Sequence, residues 1–571
     1  VFEHRGAVAL SVACVIAAVS AQTYAPVVIR GIVDGLAAGA LDRAGLWRGT
    51  ALFLAVTLAG GAASLWMRGV PLRMSHRVER ALRRDLFRHL ATLDPGFYRS
   101  IRTGDLMTRM VSDVAMVREF VGQGILQGVR SAVAAIVAFG AMLATSPRLM
   151  LVMAALYPPL ILVFFLLLGL IRRRHEAAQE QQAELSNHCQ ETFAGLRTVR
   201  ALAVEHLREA AFERHSREAA RRNLALAWVQ NPLWPLFGFA FAASSLALVL
   251  VGGRMIMTGR LTIGTLVQFQ QYLLYLQWPM LAIGWTASLI QRGRASWRRL
   301  SEILERAPVI CDGPRTDGSL RVVEGDIEFD GVSVVVEGRP LLRDVRLRIP
   351  AGRVVGITGP TAAGKTLLAS LLPRLLDPSE GAVRIGGRDV REYPLATLRA
   401  AFGVVLQEPV LFSDTLAGNL AFGLEGAEDE WLRRVAWLAH LHEDAQELPQ
   451  QYETLVGERG VTLSGGQRRR AALGRALARR PRYLVLDDVF SAVDTQTEAA
   501  ILAKLGPVLR EGTALVVSHR ASTLRRTDFI VVLEEGRITA VGPHDELIAR
   551  PGYYRDLVRR QELEARLEEP A

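Results

Sequence analysis

The chain has 571 residues, half of them apolar, with 68 basic against 57 acidic side chains and a formal charge of +11. That length exceeds one domain, and the apolar residues are unevenly spread, so two unlike parts are predicted. The positive charge lies largely beside long apolar runs, where it sets membrane topology, and this excludes nucleic acid as the expected partner.

Six segments reach the roughly 20 apolar residues that a membrane helix needs: Ala7–Ile29, Leu46–Met67, Gly124–Ala144, Leu149–Ile171, Leu233–Met257 and Leu261–Leu289. Lipid cannot satisfy backbone polar groups, so these are predicted to be helices. The intervening stretches Leu72–Gln123 and Arg172–Gln230 carry 10 arginines each, which places them and both termini on the cytoplasmic side. Both stretches read as amphipathic helix, so helices two to five are expected to extend into the cytoplasm. Within the spans, Gln22, Tyr24, Gln268, Gln270, Gln271, Tyr272, Tyr275, Gln277, Trp278 and Trp285 gather on the first and sixth segments. They read either as a path for an amphiphilic substrate or as hydrogen bonds between helices. Pro158-Pro159, Pro235 and Pro279 interrupt helices, as hinges or as static kinks.

Residues 1–293 therefore read as a transmembrane domain, 294–320 as a linker rich in proline, glycine and aspartate, and 321–571 as a soluble α/β domain. After the strand-like Val354–Thr358, the run Gly359, Pro360, Thr361, Ala362, Ala363, Gly364, Lys365, Thr366 and Leu367 opens a helix. Strand, glycine-rich loop and helix in that order form a phosphate loop. Its backbone N–H groups cradle phosphates, Lys365 reaches the β- and γ-phosphates, and Thr366 binds Mg²⁺. Lys365 is one of only two lysines, with Lys504, among the 68 basic residues. A point charge is wanted there. Asp487 ends the apolar run Tyr483–Leu486, a position suited to the same Mg²⁺. Asp488 follows where a base must orient water, with a carboxylate one methylene shorter than glutamate's. His519, after the apolar Ala514–Val517, is expected at the γ-phosphate.

Cys14, Cys189 and Cys311 are too few and scattered for a disulfide framework or a metal cluster. No cleavable signal-peptide pattern is read, and a start at Val1 leads to the expectation of further N-terminal residues.

With these motifs in order, the whole chain resembles the ABC exporter family, six membrane helices fused to one nucleotide-binding domain. The run Leu463, Ser464, Gly465, Gly466 and Gln467 matches the family signature, which in the family caps ATP held by the opposite subunit. The resemblance implies that Gln407 is the Q-loop glutamine, acting in catalysis and at Mg²⁺, that Asp488 and His519 act in catalysis, and that Thr454–Gly460 and Ser491–Asp494 are the X- and D-loops. Phe97–Arg109 and Glu191–Glu205 look like coupling-helix regions. The chain departs from the pattern at Asp488, where the family has glutamate, at Val334-Val335-Val336, which lack the aromatic that stacks adenine, and at Ala362, where a phosphate-loop glycine is usual. This combination resembles the degenerate-site subunit of a heterodimeric bacterial exporter of the multidrug or antigen-peptide-transporter-like kind.

What the resemblance implies is ATP- and Mg²⁺-dependent export of an amphiphilic drug, lipid or peptide across the bacterial plasma membrane, with a second half-transporter as partner. Its rivals are an importer of the same fold, for which an added siderophore-reductase domain would have spoken, and an ATP-gated regulatory or channel subunit. A soluble ABC ATPase acting on DNA or ribosomes conflicts with the six spans.

Overall fold

The structure, a computed structural model, describes residues 5–155, 157–457, 462–491 and 493–568. It divides into two compact units, one of Val1–His89 and Thr103–Arg306, the other of Leu90–Arg102 and Ala307–Ala571.

The first unit is helical. Among the described residues five helices are long and apolar enough to cross a membrane: Val12–Ala37, Arg43–Thr92, Thr103–Thr145, Glu205–Met257 and Ile263–Leu304. The fourth predicted segment runs as helices Pro147–Ala154 and Tyr157–Ala194 on either side of Leu156, which lies outside the described residues. At 50 residues, Arg43–Thr92 is about 75 Å long, more than twice the roughly 30 Å hydrocarbon core. Helix Thr103–Thr145 passes through two π-helical turns, Arg109–Asp113 and Phe120–Gly124. Buried Asp113 in the first turn accepts hydrogen bonds from Ser296 Oγ at 2.9 Å and Arg299 Nε at 2.8 Å, fixing this helix to the last one.

Polar residues of the first and sixth spans divide into two groups. Tyr272 Oη donates to the Thr23 carbonyl at 3.0 Å, Gln268 Nε2 to Tyr272 Oη at 3.2 Å, and Arg30 Nη1 to Gln268 Oε1 at 3.4 Å. Asp34 accepts from Gly264 N at 2.7 Å and Thr262 Oγ1 at 2.8 Å, at the start of the last helix. Gln270 Nε2 donates to Ser245 Oγ at 3.1 Å. These groups join helices. Gln22, Gln271, Tyr275 and Trp278 line cavities, and Gln22 Nε2 also donates to Ser64 Oγ of the second helix at 3.3 Å.

The second unit is α/β. Its strands are β1 (Ile327–Val336), β2 (Arg339–Ile349), β3 (Val354–Thr358), β4 (Glu380–Ile385), β5 (Arg388–Asp389), β6 (Phe402–Val405), β7 (Asp414–Thr415), β8 (Leu455–Val456), β9 (Tyr483–Asp487), β10 (Thr513–Val517), β11 (Phe529–Glu534) and β12 (Arg537–Gly542). A six-stranded sheet runs β12-β11-β3-β10-β9-β6, parallel except for its β12 edge. Every residue of β3, β9 and β10 is buried, as parallel strands covered on both faces require. A second, antiparallel sheet runs β2-β1-β4-β5. Between the sheets Val332, Leu342, Ile357, Leu368 and Val531 share one apolar core. A smaller helical cluster, including Leu416, Leu432 and Ala471, carries the helix Gly465–Ala478.

Candidate functional site

The sheet registers bring the motifs together. Ile357 of β3 and Asp487 of β9 both pair with Val517 of β10, so the three chains emerge side by side at the strands' carboxyl ends. Open α/β sheets place ligands at that edge. Asp488 N donates to the Val517 carbonyl at 3.0 Å and Ser518 N to the Ile357 carbonyl at 3.0 Å, which extends this alignment past the strands.

The loop after β3 depends on its glycines. Gly359 has φ 149°, and a Cβ there would come within 1.9 Å of the Leu533 carbonyl oxygen. Gly364 has φ 101° and lies against the Leu341 carbonyl. Both positions are therefore closed to side chains. Ala362 has φ 65°, so it holds the left-handed backbone that glycine takes without strain. The exposed side chains of Thr361 and Ala362 lie between Pro360 and buried Ala363. Lys365 and Thr366 then begin the helix Lys365–Leu371, with partly buried Leu367 behind them.

Lys365 Nζ is bent over the loop, donating to the carbonyls of Gly359 at 2.9 Å and Pro360 at 2.7 Å. Burial pushes its pKa down, against the pull of Asp487 and Asp488. Asp487 is 3% exposed and its Oδ2 has no hydrogen-bond partner. Burial raises its pKa, Asp488 adds to the rise, and Thr366 and Lys365 oppose it. A buried carboxylate oxygen without a donor, beside a threonine hydroxyl, fits a hard divalent cation such as Mg²⁺. Burial and Lys365 lower the pKa of His519, while Asp488 opposes them, which favours a neutral imidazole.

Asp488 is half-buried with φ 51°, and its carbonyl accepts from Ser491 Oγ at 3.1 Å. Gln407 stands apart. It is exposed two residues past β6, and its side chain makes no hydrogen bond among the described residues. The signature lies on the smaller helical subdomain, where Ser464 caps Gly465–Ala478 by a capping box. Gln467 N donates to Ser464 Oγ at 3.2 Å and Ser464 N to Gln467 Oε1 at 2.9 Å. Asp444 holds the helix from behind, accepting from Gln467 Nε2 at 2.8 Å and Arg470 Nη1 at 2.7 Å. Gly465 and Gly466 open this helix, and a Cβ at Gly465 would meet only Arg468 Nη2, at 3.9 Å.

Of the predicted X-loop, residues 458–460 lie outside the described residues, as does Ala492 of the D-loop. Asp494 caps the helix Thr495–Glu511 by accepting from Thr497 N at 2.8 Å. Along Val334-Val335-Val336, strand alternation buries Val334 and exposes Val335, so Val335 is the surface position.

Sequence reasoning missed two supports of the His519 loop. Glu498, 1% exposed, accepts from Arg520 Nη1 at 2.5 Å, from Ser522 Oγ at 2.8 Å and from Thr523 Oγ1. Gln561 brackets the loop, donating from Nε2 to the His519 carbonyl at 2.7 Å and accepting from Ala521 N at 2.9 Å. In the sequence Glu498 is merely an acid in a helix's first turn, favoured there by the dipole. Gln561 carries no sequence signal.

Residues 8–280 match the ABC transporter transmembrane region and 342–491 the ABC transporter domain. The chain is 34% identical to a multidrug resistance-like ATP-binding protein of Escherichia coli over 99% of this chain and 95% of that one. It is 32% identical to an ATP-dependent lipid A-core flippase of Desulfotalea psychrophila, over 86% and 85% of the two chains. The structure of a bacterial Atm1-family ABC exporter with ATP bound superposes with a TM-score of 0.78 at 26% identity, covering 98% of each chain.

Proposed function

The chain belongs to the ABC transporter family as an exporter half-transporter, and from that premise we propose that it is the slow-hydrolysing subunit of a two-chain exporter in a bacterial plasma membrane. One observation carries this reading: a shortened carboxylate at Asp488 beside the phosphate loop, in a chain whose signature Ser464 and Gly465 are intact. A paired subunit then supplies the glutamate opposite this signature, and that composite site does most of the hydrolysis. The likeness to multidrug and lipid transporters supports an amphiphilic cargo.

Within this chain's own site, Lys365 exchanges two carbonyl acceptors for phosphate oxygens, recovering a charge partner for a buried ammonium. Thr366, Asp487 and Gln407 are the residues that would hold the Mg²⁺. When bound, the cation neutralises charge on the phosphates. Asp488 lies where water must be oriented, and a reach short by about 1 Å lowers the rate on the order of 10²-fold. Neutral His519 donates toward the γ-phosphate, its loop held by Glu498 and Gln561. Binding of two ATP molecules closes the soluble domains and turns the cavity outward, and hydrolysis at the consensus site resets it.

Steady-state ATPase activity tests the reading. This chain purified alone should be slow, because both sites of a homodimer would contain Asp488, and coexpression with the partner should raise the rate strongly. A homodimer as fast as the two-chain complex would refute it.

A further inference from the structure

A cavity of about 490 Å³ lies wholly within the second unit, apart from the nucleotide motifs. The end of the helix Arg43–Thr92, the turn after it and the linker at Pro308 meet the α/β core there. Its walls are largely apolar, with Leu93 and Ile310 buried and Leu375 and Leu395 half-buried beside them. Apolar walls with a few fixed polar groups, around a space of about 300–1,000 Å³, are the usual form of a small-molecule site.

Three charged side chains border this space, and two of them are already engaged. Arg399 donates from Nε to the Pro373 carbonyl at 3.3 Å and from Nη2 to the Arg374 carbonyl at 3.0 Å. Asp312 Oδ1 accepts from Leu395 N at 2.8 Å. Asp94 differs. Its Oδ2 accepts from Phe97 N at 3.2 Å, capping the helix Pro95–Ser100, while Oδ1 is buried and has no hydrogen-bond partner among the described residues. A buried carboxylate oxygen without a donor is costly, and a ligand that brings one recovers the loss. The unmet demand is thus for a donor, and a positively charged donor suits a carboxylate best. A metal ion would want about six oxygen ligands, which apolar walls do not supply.

We propose that this cavity binds a small organic ammonium ion, its N–H group bonded to Asp94 Oδ1 and its apolar body lying against Leu93 and Ile310. The site is separate from the cavities of the first unit and stands whether or not the export reading does. Asp94 serves two partners, the helix cap through one oxygen and the ligand through the other. Asparagine keeps an oxygen for the cap and loses the charge that attracts the ammonium ion, so the two roles can be separated.

Cys311 lines the same cavity and is exposed, so its thiol reports occupancy, with the partly buried Cys14 and Cys189 as references. The test is the rate at which methyl methanethiosulfonate modifies Cys311 in the purified transporter in phosphatidylcholine nanodiscs, read by mass spectrometry. The added probes are phenylethylammonium, the neutral phenylethanol and methylammonium. Phenylethylammonium should halve the Cys311 rate at a concentration at least about tenfold below that needed of either other probe, with the Cys14 and Cys189 rates unchanged. Asp94→Asn should raise that concentration by about 10- to 100-fold and leave the phenylethanol value where it was. Equal protection of the native protein by phenylethylammonium and phenylethanol would overturn the proposal without any variant, even if Asp94→Asn failed to fold. Protection by methylammonium as strong as by phenylethylammonium would overturn it in favour of a bare cation site, and no protection by any probe would leave the cavity to water. Protection by phenylethylammonium that survives Asp94→Asn undiminished would overturn it by removing the anchor.

Discussion

Replacing Asp487 by asparagine should stabilise the nucleotide-free chain while weakening its use of Mg²⁺-ATP. In the structure this carboxylate is 3% exposed with Oδ2 unpartnered, and burial raises its pKa. An unmet buried polar atom costs about 1–3 kcal/mol, more when charged. Asparagine keeps the shape and still leaves one polar atom unmet, so it removes only the share of that cost that comes from the buried charge. Against this gain stands the lost attraction to Lys365, which retains Asp488 nearby and the carbonyls of Gly359 and Pro360. A net gain of about 1 kcal/mol remains, which for a unit of this size raises Tm by roughly 2–4 °C. Thermal unfolding without nucleotide measures this, and repeating it with ATP in Mg²⁺ and in EDTA separates the cation's share. The variant should melt higher when empty and lose the extra stabilisation that Mg²⁺ gives ATP. A variant that melts lower when empty, or keeps the full Mg²⁺ increment, would refute the assignment of Asp487 as a strained cation ligand.

Asp488→Glu should raise single-turnover hydrolysis at this chain's site on the order of 10- to 100-fold once the partner's own glutamate is removed; no gain would mean that reach is not the missing element. Val335→Tyr should tighten ATP binding by up to about tenfold in equilibrium titrations, because Val335 is the exposed member of the three valines and an aromatic ring there can stack on adenine. Burial, aided by Arg525, lowers the pKa of His544, which hydrogen-bonds Tyr554 Oη at 2.7 Å. The unfolded chain then binds its proton first as pH falls below 6.5, so this contribution to stability is complete above that pH and declines beneath it. His544→Gln should flatten part of that decline in melts between about pH 7 and pH 5.

The strand ends that carry Thr358, Asp487 and Val517 were legible because uninterrupted apolar runs identify buried parallel strands, and functional groups follow such runs. The polar residues of the spans were not separable in the same way. Gln268 and Gln22 look alike in sequence, yet one is buried and accepts from Arg30 of the first helix, whereas the other donates to Ser64 of the second helix and borders a cavity. Helical periodicity gives a residue's face but not its neighbour, and the neighbour decides the role. Glu498 and Gln561 escaped for a related reason, since their partners at Arg520, His519 and Ala521 come from distant turns.

The asymmetry between the two surfaces of the soluble unit is the central claim, and side-by-side substitution in the reconstituted two-chain transporter tests it most directly. Gly465 faces open space in this chain, so Gly465→Leu should leave the chain folded and act only by blocking closure over the partner's ATP. Donors aimed at developing charge are worth several kcal/mol, so turnover and transport should nearly vanish. Asp488→Ala should reduce turnover far less. Equal loss from the two substitutions, with assembly and nucleotide binding intact, would contradict the account by making Asp488 a working base.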